Sequence, residues 1–346
     1  MGRAGADVKP RNIPLVVSVD VEEDNWRSVR DGVSAENVRE LPKFAALCER
    51  LGIRPTYFVT YQAAAQPWAQ DVLRELCTDG RAELASHIHP WNTPPFDEEP
   101  GFGATMLRNY GYAAQLAKIR TITDTLSRVC GKKPVSFRAG RFGVGRETIA
   151  ALIEAGYGVD SSVTPFYAWG VFDGGPEFFG ADLSIYTLDG RGDVRRAVPG
   201  GPIVEVPLST GFTRFPVSWW TEMETFFRQP AVHALHLRGM AARTRLTQRV
   251  ILSPELTPLR DMLALSRRLL RGGVSHLNLM FHSSSLRPGL TPFVTSQADV
   301  RRLCDRLEAY VDGLTAMCDV EFRTVAEVAA TVAAGQALSG PSVATA

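Results

Sequence analysis

Ile13-Pro-Leu-Val-Val-Ser-Val-Asp20-Val-Glu22-Glu23-Asp24 (IPLVVSVDVEED, residues 13–24) decides how the rest of the chain is read. An apolar, β-branched run of this length reads as a buried strand, and it ends on four carboxylates within five residues. At strand period Asp20 and Glu22 point to the same side. One of them can ligate a metal while its neighbour serves as a general base. An acidic cluster at a helix N-terminus, or plain solvated charge, fits the spacing equally well.

Outward from this strand, short β-branched runs alternate with longer amphipathic patterns. Ile13–Asp20, Thr56–Val59, Ala82–Ser86, Val135–Arg138, Ile203–Val206, Ser275–Phe281 and Val320–Phe322 read as strands. Ser34–Leu51, Pro67–Thr78, Ala104–Cys130, Gly145–Ala155, Leu256–Leu270 and Gln297–Met317 read as helices, several stopped by a glycine just past the end. This βαβα rhythm predicts an α/β fold with parallel strands, in a barrel or a doubly wound sheet. With no internal repeat and no splitting linker, residues 13–332 read as one domain between flexible tails at 1–12 and 333–346. The stretches 91–101 and 166–201, rich in Pro, Gly and aromatics, predict long loops at one rim, where α/β enzymes keep their chemistry.

Composition excludes several classes. The 346 residues carry 38 Lys+Arg against 37 Asp+Glu, a formal charge of +1, so no large field recruits nucleic acid. At 45% hydrophobic and 22% charged residues, with no apolar run of spanning length, the chain reads as globular and without a membrane span. Neither a secretory leader nor a myristoylation signal is read at the N-terminus. Cys48, Cys77, Cys130, Cys304 and Cys318 are scattered and odd in number. They read as reduced core residues, and the expected location is the cytoplasm.

Further groups of residues can carry chemistry. Ser86-His87-Ile88-His89-Pro90-Trp91 places two imidazoles on one face just after a strand, a two-ligand metal half-site. His282 closes an almost wholly apolar strand, where it reads as a general acid, a third ligand or a histidine that caps the turn. Phe137-Arg138-Ala-Gly-Arg141-Phe-Gly143 ends another strand on two arginines suited to orienting a carboxylate or gripping substrate. Asp160-Ser161-Ser162 is a further polar strand end or a surface turn. His276, His233 and His236 read as structural. Arg238, Arg243, Arg245 and Arg249 make a basic stretch in a predicted helix, a solvated face or subunit contact in preference to a phosphate site.

Taken in order, these motifs resemble the NodB-homology polysaccharide deacetylases, carbohydrate esterase family 4, in a divergent branch. The family runs through an Asp-rich motif, a two-His motif, an Arg motif, an Asp motif and an L-x-L-H motif. Here Asp20-Val-Glu22, His87-Ile-His89, Phe137-Arg138, Asp160-Ser-Ser and Leu277-Asn-Leu279-Met-Phe-His282 fall in that sequence, over about residues 13 to 330. The departures lie at the metal motifs. The family shows adjacent Asp-Asp or Asp-x-Asp where this chain has Asp20-Val21-Glu22. It shows His-x-x-x-His where this chain has His87-x-His89, with Trp91 at the second histidine's place.

The resemblance implies a distorted (β/α)7-8 barrel and a metal-dependent amidohydrolase. Glu22, His87 and His89 would hold a divalent metal, Zn²⁺ first, with Co²⁺ or Ni²⁺ as alternatives. Asp20 would be the base, Arg138 would orient it, His282 would protonate the leaving amine and Asp160 would orient or tune His282. Trp91, Asn92 and Arg141 are candidate substrate contacts. The implied substrate is an N-acylated amino sugar or glycan precursor, acetyl or formyl. Two other readings stay open: hydrolysis of a non-sugar cyclic amide, and a non-catalytic barrel that binds a glycan or a partner. Self-association into a homo-oligomer also stays open.

Overall fold

A computed structural model describes residues 12–24, 32–97, 102–172, 174–229 and 248–333. His233, His236, Arg238, Arg243, Arg245 and both expected tails lie outside them. The described strands are β1 (Ile13–Val21), β2 (Thr56–Val59), β3 (Glu83–Ile88), β4 (Ser136–Ala139), β5 (Val159–Asp160), β6 (Tyr186–Leu188), β7 (Ile203–Glu205), β8 (Thr210–Phe212), β9 (Arg249–Ile251), β10 (Leu277–His282) and β11 (Val320–Phe322).

Seven of these strands run parallel in the order β10-β1-β2-β3-β4-β5-β7, with β6 antiparallel at one edge and β11 paired to the start of β1. β1 is flanked by β10 and β2 and is buried over eight of its nine residues, as a parallel strand covered on both faces must be. The sheet curls until β7 and β10 nearly meet. Irregular chain closes the seam: Ser209 N donates to Asn278 O (3.1 Å), Leu252 N to Ser209 O (2.8 Å) and Met280 N to Leu252 O (3.0 Å). The result is a distorted barrel of seven parallel strands, one of the two architectures that the βαβα rhythm allows and the one that the resemblance implies.

Inside the barrel Val16, Phe58, Ala85, Val159, Val204 and Val206 pack with Val325, Val328 and Ala329. The last three belong to a C-terminal helix, Val325–Ala333, that plugs the N-terminal end of the barrel. Half-buried Glu83 accepts from Ala326 N (3.0 Å) and Thr56 Oγ1 (3.0 Å), a carboxylate at the helix start where the unpaired N–H groups favour it.

Outside, helices cover the sheet. The expected helix over residues 34–51 divides into a 3-10 turn, Glu36–Glu40, and an α-helix, Leu41–Leu51, that starts at Pro42 and stops at Gly52 (φ 69°). The expected helix from Ala104 begins only at Tyr112, because two 3-10 turns occupy the chain before Gly111. Arg249, read as helical, is instead in β9, where the β-branched pair Val250-Ile251 matches Thr210-Gly211-Phe212 in an antiparallel ribbon.

Candidate active site

The parallel register places the polar strand ends side by side. Asp20 pairs in register with His282 of β10, and His87 with Arg138 of β4. The chain after β1 and β3 extends this edge by a few residues and adds Glu22 and His89.

The four carboxylates that end β1 have separate partners. Asp20 Oδ1 accepts from Arg138 Nη1 at 2.6 Å with both side chains buried. Glu22 faces three histidines: its carboxylate lies 3.0 Å from His89 Nε2, 3.7 Å from His87 Nε2 and 3.9 Å from His282 Nε2. Glu23 accepts from His89 Nδ1 (3.0 Å). Asp24 is structural; it accepts from Glu36 N (2.7 Å) and Asn37 N (2.9 Å) and so anchors the 3-10 turn. The helix-start reading of the acidic run is therefore correct for Asp24.

Glu22, His87 and His89 bring one ligand atom each within 4.8 Å of one another. His87 donates from Nδ1 to Arg138 O (3.0 Å), and His89 donates from Nδ1 to Glu23, so both rings turn Nε2 toward Glu22. Metal-binding histidines are oriented in this way by a second hydrogen bond. Burial opposes charge on Glu22, but the positive field of His282 and His89 and the hydrogen bonds from His87 and His89 hold it well below the usual carboxylate range. Burial likewise pulls His89 down, but Glu23 and Glu22 push it up to about 10.

Gly140 makes this packing possible. A Cβ there would stand 2.4 Å from His89 Cδ2 and 2.6 Å from Ile88 O, so any side chain would displace His89. The next two residues, Arg141 (φ 53°) and Phe142 (φ 57°), hold the left-handed conformation, which costs a non-glycine residue about 1–2 kcal/mol. That turn lays the Arg141 guanidinium over Trp91 (4.8 Å) and Phe172 (4.4 Å), while Trp91 stacks on His89 (4.4 Å between ring centres, 20° between planes).

Asp20, Glu22, His87, His89, Trp91, Arg141 and His282 all line one cavity of about 340 Å³, walled on its other side mostly by apolar residues such as Phe142, Trp169 and Met280. Two expected site residues are elsewhere. Asn92 is buried behind this wall, with its backbone N bonded to His89 O (3.2 Å) and its carbonyl held by Gln62. Asp160 alternates with Val159 and Ser161, which face inward, so its own side chain leaves the barrel interior. There it accepts from Ser162 Oγ (2.6 Å) and neighbours Glu205. Burial raises the pKa of Asp160, and that of Glu205 well above the usual range, with each carboxyl beside the other. Ser161, not Asp160, touches the machinery, bonding Arg138 Nη2 through Oγ (3.1 Å) and Nε through its carbonyl (2.9 Å).

The partner of His282 is Glu255, at 2.5 Å from Nδ1. Burial lowers His282, but Glu255, Glu22 and Asp20 together raise it to about 10. Glu255 was not singled out in the sequence, because Pro254-Glu255-Leu256 has no motif spacing and lies on the chain after β9.

No protein-family model and no curated protein matches the chain. Solved structures do share its fold. One from Mycobacterium smegmatis, assigned as a polysaccharide deacetylase, is 17% identical with a TM-score of 0.52, covering 100% of this chain and 99% of that one. A second, from Parabacteroides distasonis and assigned as a glycoside hydrolase/deacetylase, is 14% identical with a TM-score of 0.54, covering 92% of this chain and 70% of that one. A 4-α-glucanotransferase from Thermococcus litoralis, 12% identical, reaches 0.50 over 92% of this chain and 40% of its own. The chain thus has the barrel of the polysaccharide deacetylases. Since a glucanotransferase is built on a similar frame, the chemistry has to be argued from the site.

Proposed function

We propose that the protein is a metal-dependent hydrolase that removes an N-acyl group, acetyl or formyl, from an amino sugar or glycan precursor. The observation that carries this reading is the convergence of Glu22, His87 and His89 at the floor of a cavity that also holds Asp20 and His282.

Two imidazole nitrogens and one carboxylate suit zinc, with cobalt or nickel able to use the same donors. The second hydrogen bond on each ring strengthens that fit. The chemistry a divalent cation supplies when bound there is Lewis acidity, which polarises a carbonyl and lowers the pKa of water toward about 7.

The remaining work falls to the chain's own side chains. Asp20 has one oxygen held by Arg138, which leaves the other to take a proton from the attacking water. His282, charged beside Glu255, presents Nε2 on the cavity side and can deliver a proton to the departing amine. An amide needs that donor, because an unprotonated amine is a poor leaving group. Trp91 and Arg141 form the rim against which the substrate would rest. All five cysteines are unpaired, which agrees with a reducing cytoplasmic setting.

The test is release of acetate or formate from a panel of N-acetyl and N-formyl amino sugars, short N-acetylated glycans and cyclic amides. Turnover of the sugars, reduced about 10²–10⁴-fold in Asp20→Asn and in His282→Gln, is expected. Turnover of cyclic amides alone would move the substrate off sugars, and no turnover of any member would end the hydrolase reading.

A further inference from the structure

A second hollow, of about 760 Å³, lies beside the metal cavity and is lined by Arg108, Arg146, Arg191 and Arg195 from three separate stretches of chain. Its acidic neighbours are largely spoken for. Asp193 is bound to Arg195 at 2.6 Å and Glu177 to Arg228. Among the described residues Arg108, Arg146 and Arg191 take part in no ion pair, and the one side-chain bond of Arg108 is a long one to Val144 O (3.5 Å). Against these three cations stand Glu147, Asp193, which acts on Arg108 at longer range, and Asp189, which accepts from Arg191 N (2.9 Å).

The two hollows share their partition. Phe142 and Phe172 line the metal cavity, and Gly145 and Gly175, three residues further along each loop, line the arginine hollow. Three residues span at most about 11 Å. Arg108 is tied to this partition, since its N donates to Gly143 O (3.0 Å) and its guanidinium carbon lies 4.0 Å from where a Gly145 Cβ would be. The two hollows therefore lie on either side of one short partition.

Four guanidinium side chains lining one hollow, three of them outside salt-bridge contact with any carboxylate among the described residues, suit an anion with several oxygens at once, which phosphate and diphosphate groups provide. We propose that the hollow is a subsite for a phosphate or diphosphate group, and that the substrate of the metal site is an N-acylated sugar carrying that group. The second half rests on the hydrolase reading above, and the first half does not.

Calorimetric titration of the intact, metal-loaded protein with inorganic pyrophosphate tests the first half, using wild type, the double variant Arg146→Ala/Arg191→Ala and His87→Ala. Binding that weakens about tenfold or more in the arginine variant and persists in His87→Ala is expected. Binding lost in His87→Ala but kept in the arginine variant would put the anion at the metal site and overturn the proposal. So would equal binding in all three proteins, or none to wild type. For the second half, N-acetylglucosamine is compared with its 1-phosphate. A KM about tenfold lower for the phosphorylated sugar, with the advantage lost in the arginine variant, is expected, and equal KM values would overturn it. If neither sugar is turned over, the second half fails, the full substrate panel decides the hydrolase reading, and the pyrophosphate result stands by itself.

Discussion

Arg138 of β4 reaches across the barrel to Asp20 of β1 and donates to its carboxylate at 2.6 Å, with both side chains buried. Its other nitrogens are fixed by Ser18 Oγ (3.0 Å), Ser161 Oγ (3.1 Å) and Ser161 O (2.9 Å), so the guanidinium plane can hold only one orientation. Arg138→Met leaves Asp20 as an uncompensated buried charge and is predicted to cost about 3–5 kcal/mol. Denaturant unfolding checks this, and a loss below about 1 kcal/mol would show that the pair contributes little. Arg138→Lys should not rescue, because a single ammonium cannot replace the fork.

Glu255→Gln keeps the size of the residue beside His282 and removes its charge. The turnover rate should fall about 10–100-fold. The pH profile should change as well. A general acid works only while protonated, and Glu255 is the foremost of the carboxylates that raise His282 to about 10 against burial. Its removal lowers that value, so the alkaline limb of kcat/KM should shift toward lower pH. A profile that keeps its alkaline limb in the variant would deny Glu255 this role.

Much of this site was legible because its residues end strands. Once β1, β3, β4 and β10 are read from apolar runs, Asp20, Glu22, His87, His89, Arg138 and His282 must gather at one edge, since parallel strands share their C-terminal side. Strands β5, β6, β8 and β9 have only two or three residues each, too few to show a period of two. For that reason the sequence assigns no face to Asp160, which the resemblance implies as the group that tunes His282, and the structure turns Ser161 toward Arg138 instead. Glu255 was illegible for another reason: it comes to His282 through the β8–β9 ribbon, a long-range arrangement with no local signature.

Gly140→Ala tests how tightly the arginine loop presses on His89, a proposed metal ligand. The added methyl would meet His89 and the Ile88 carbonyl at 2.4 and 2.6 Å. The backbone has to give, at a cost of about 1–3 kcal/mol, and His89 should lose its alignment. A folded variant with metal content clearly below wild type is the expected result, read by elemental analysis. Full metal content would mean that the loop yields without moving the ligand.

His276 sits at the barrel seam with Nε2 donating to Pro207 O (2.9 Å), and burial lowers it from 6.5 to about 4. Between those two values the unfolded chain binds the extra proton and the folded chain does not. Stability from this group is therefore complete above about pH 6.5 and is lost as pH falls toward 4, by roughly 3 kcal/mol. His276→Gln retains a donor and cannot titrate, so its unfolding free energy should fall less over this interval. Parallel pH dependences in the two proteins would contradict the assignment.

In the proposed site Glu22, His87 and His89, which bring their ligand atoms together, hold a divalent metal and Asp20 does not. The most direct measurement is elemental analysis of wild type, His87→Ala and Asp20→Asn after incubation with zinc and removal of the excess. Close to one metal per chain is expected in wild type, little in His87→Ala and an undiminished content in Asp20→Asn. A wild type that refuses zinc, or an Asp20→Asn variant that is as empty as His87→Ala, would contradict it.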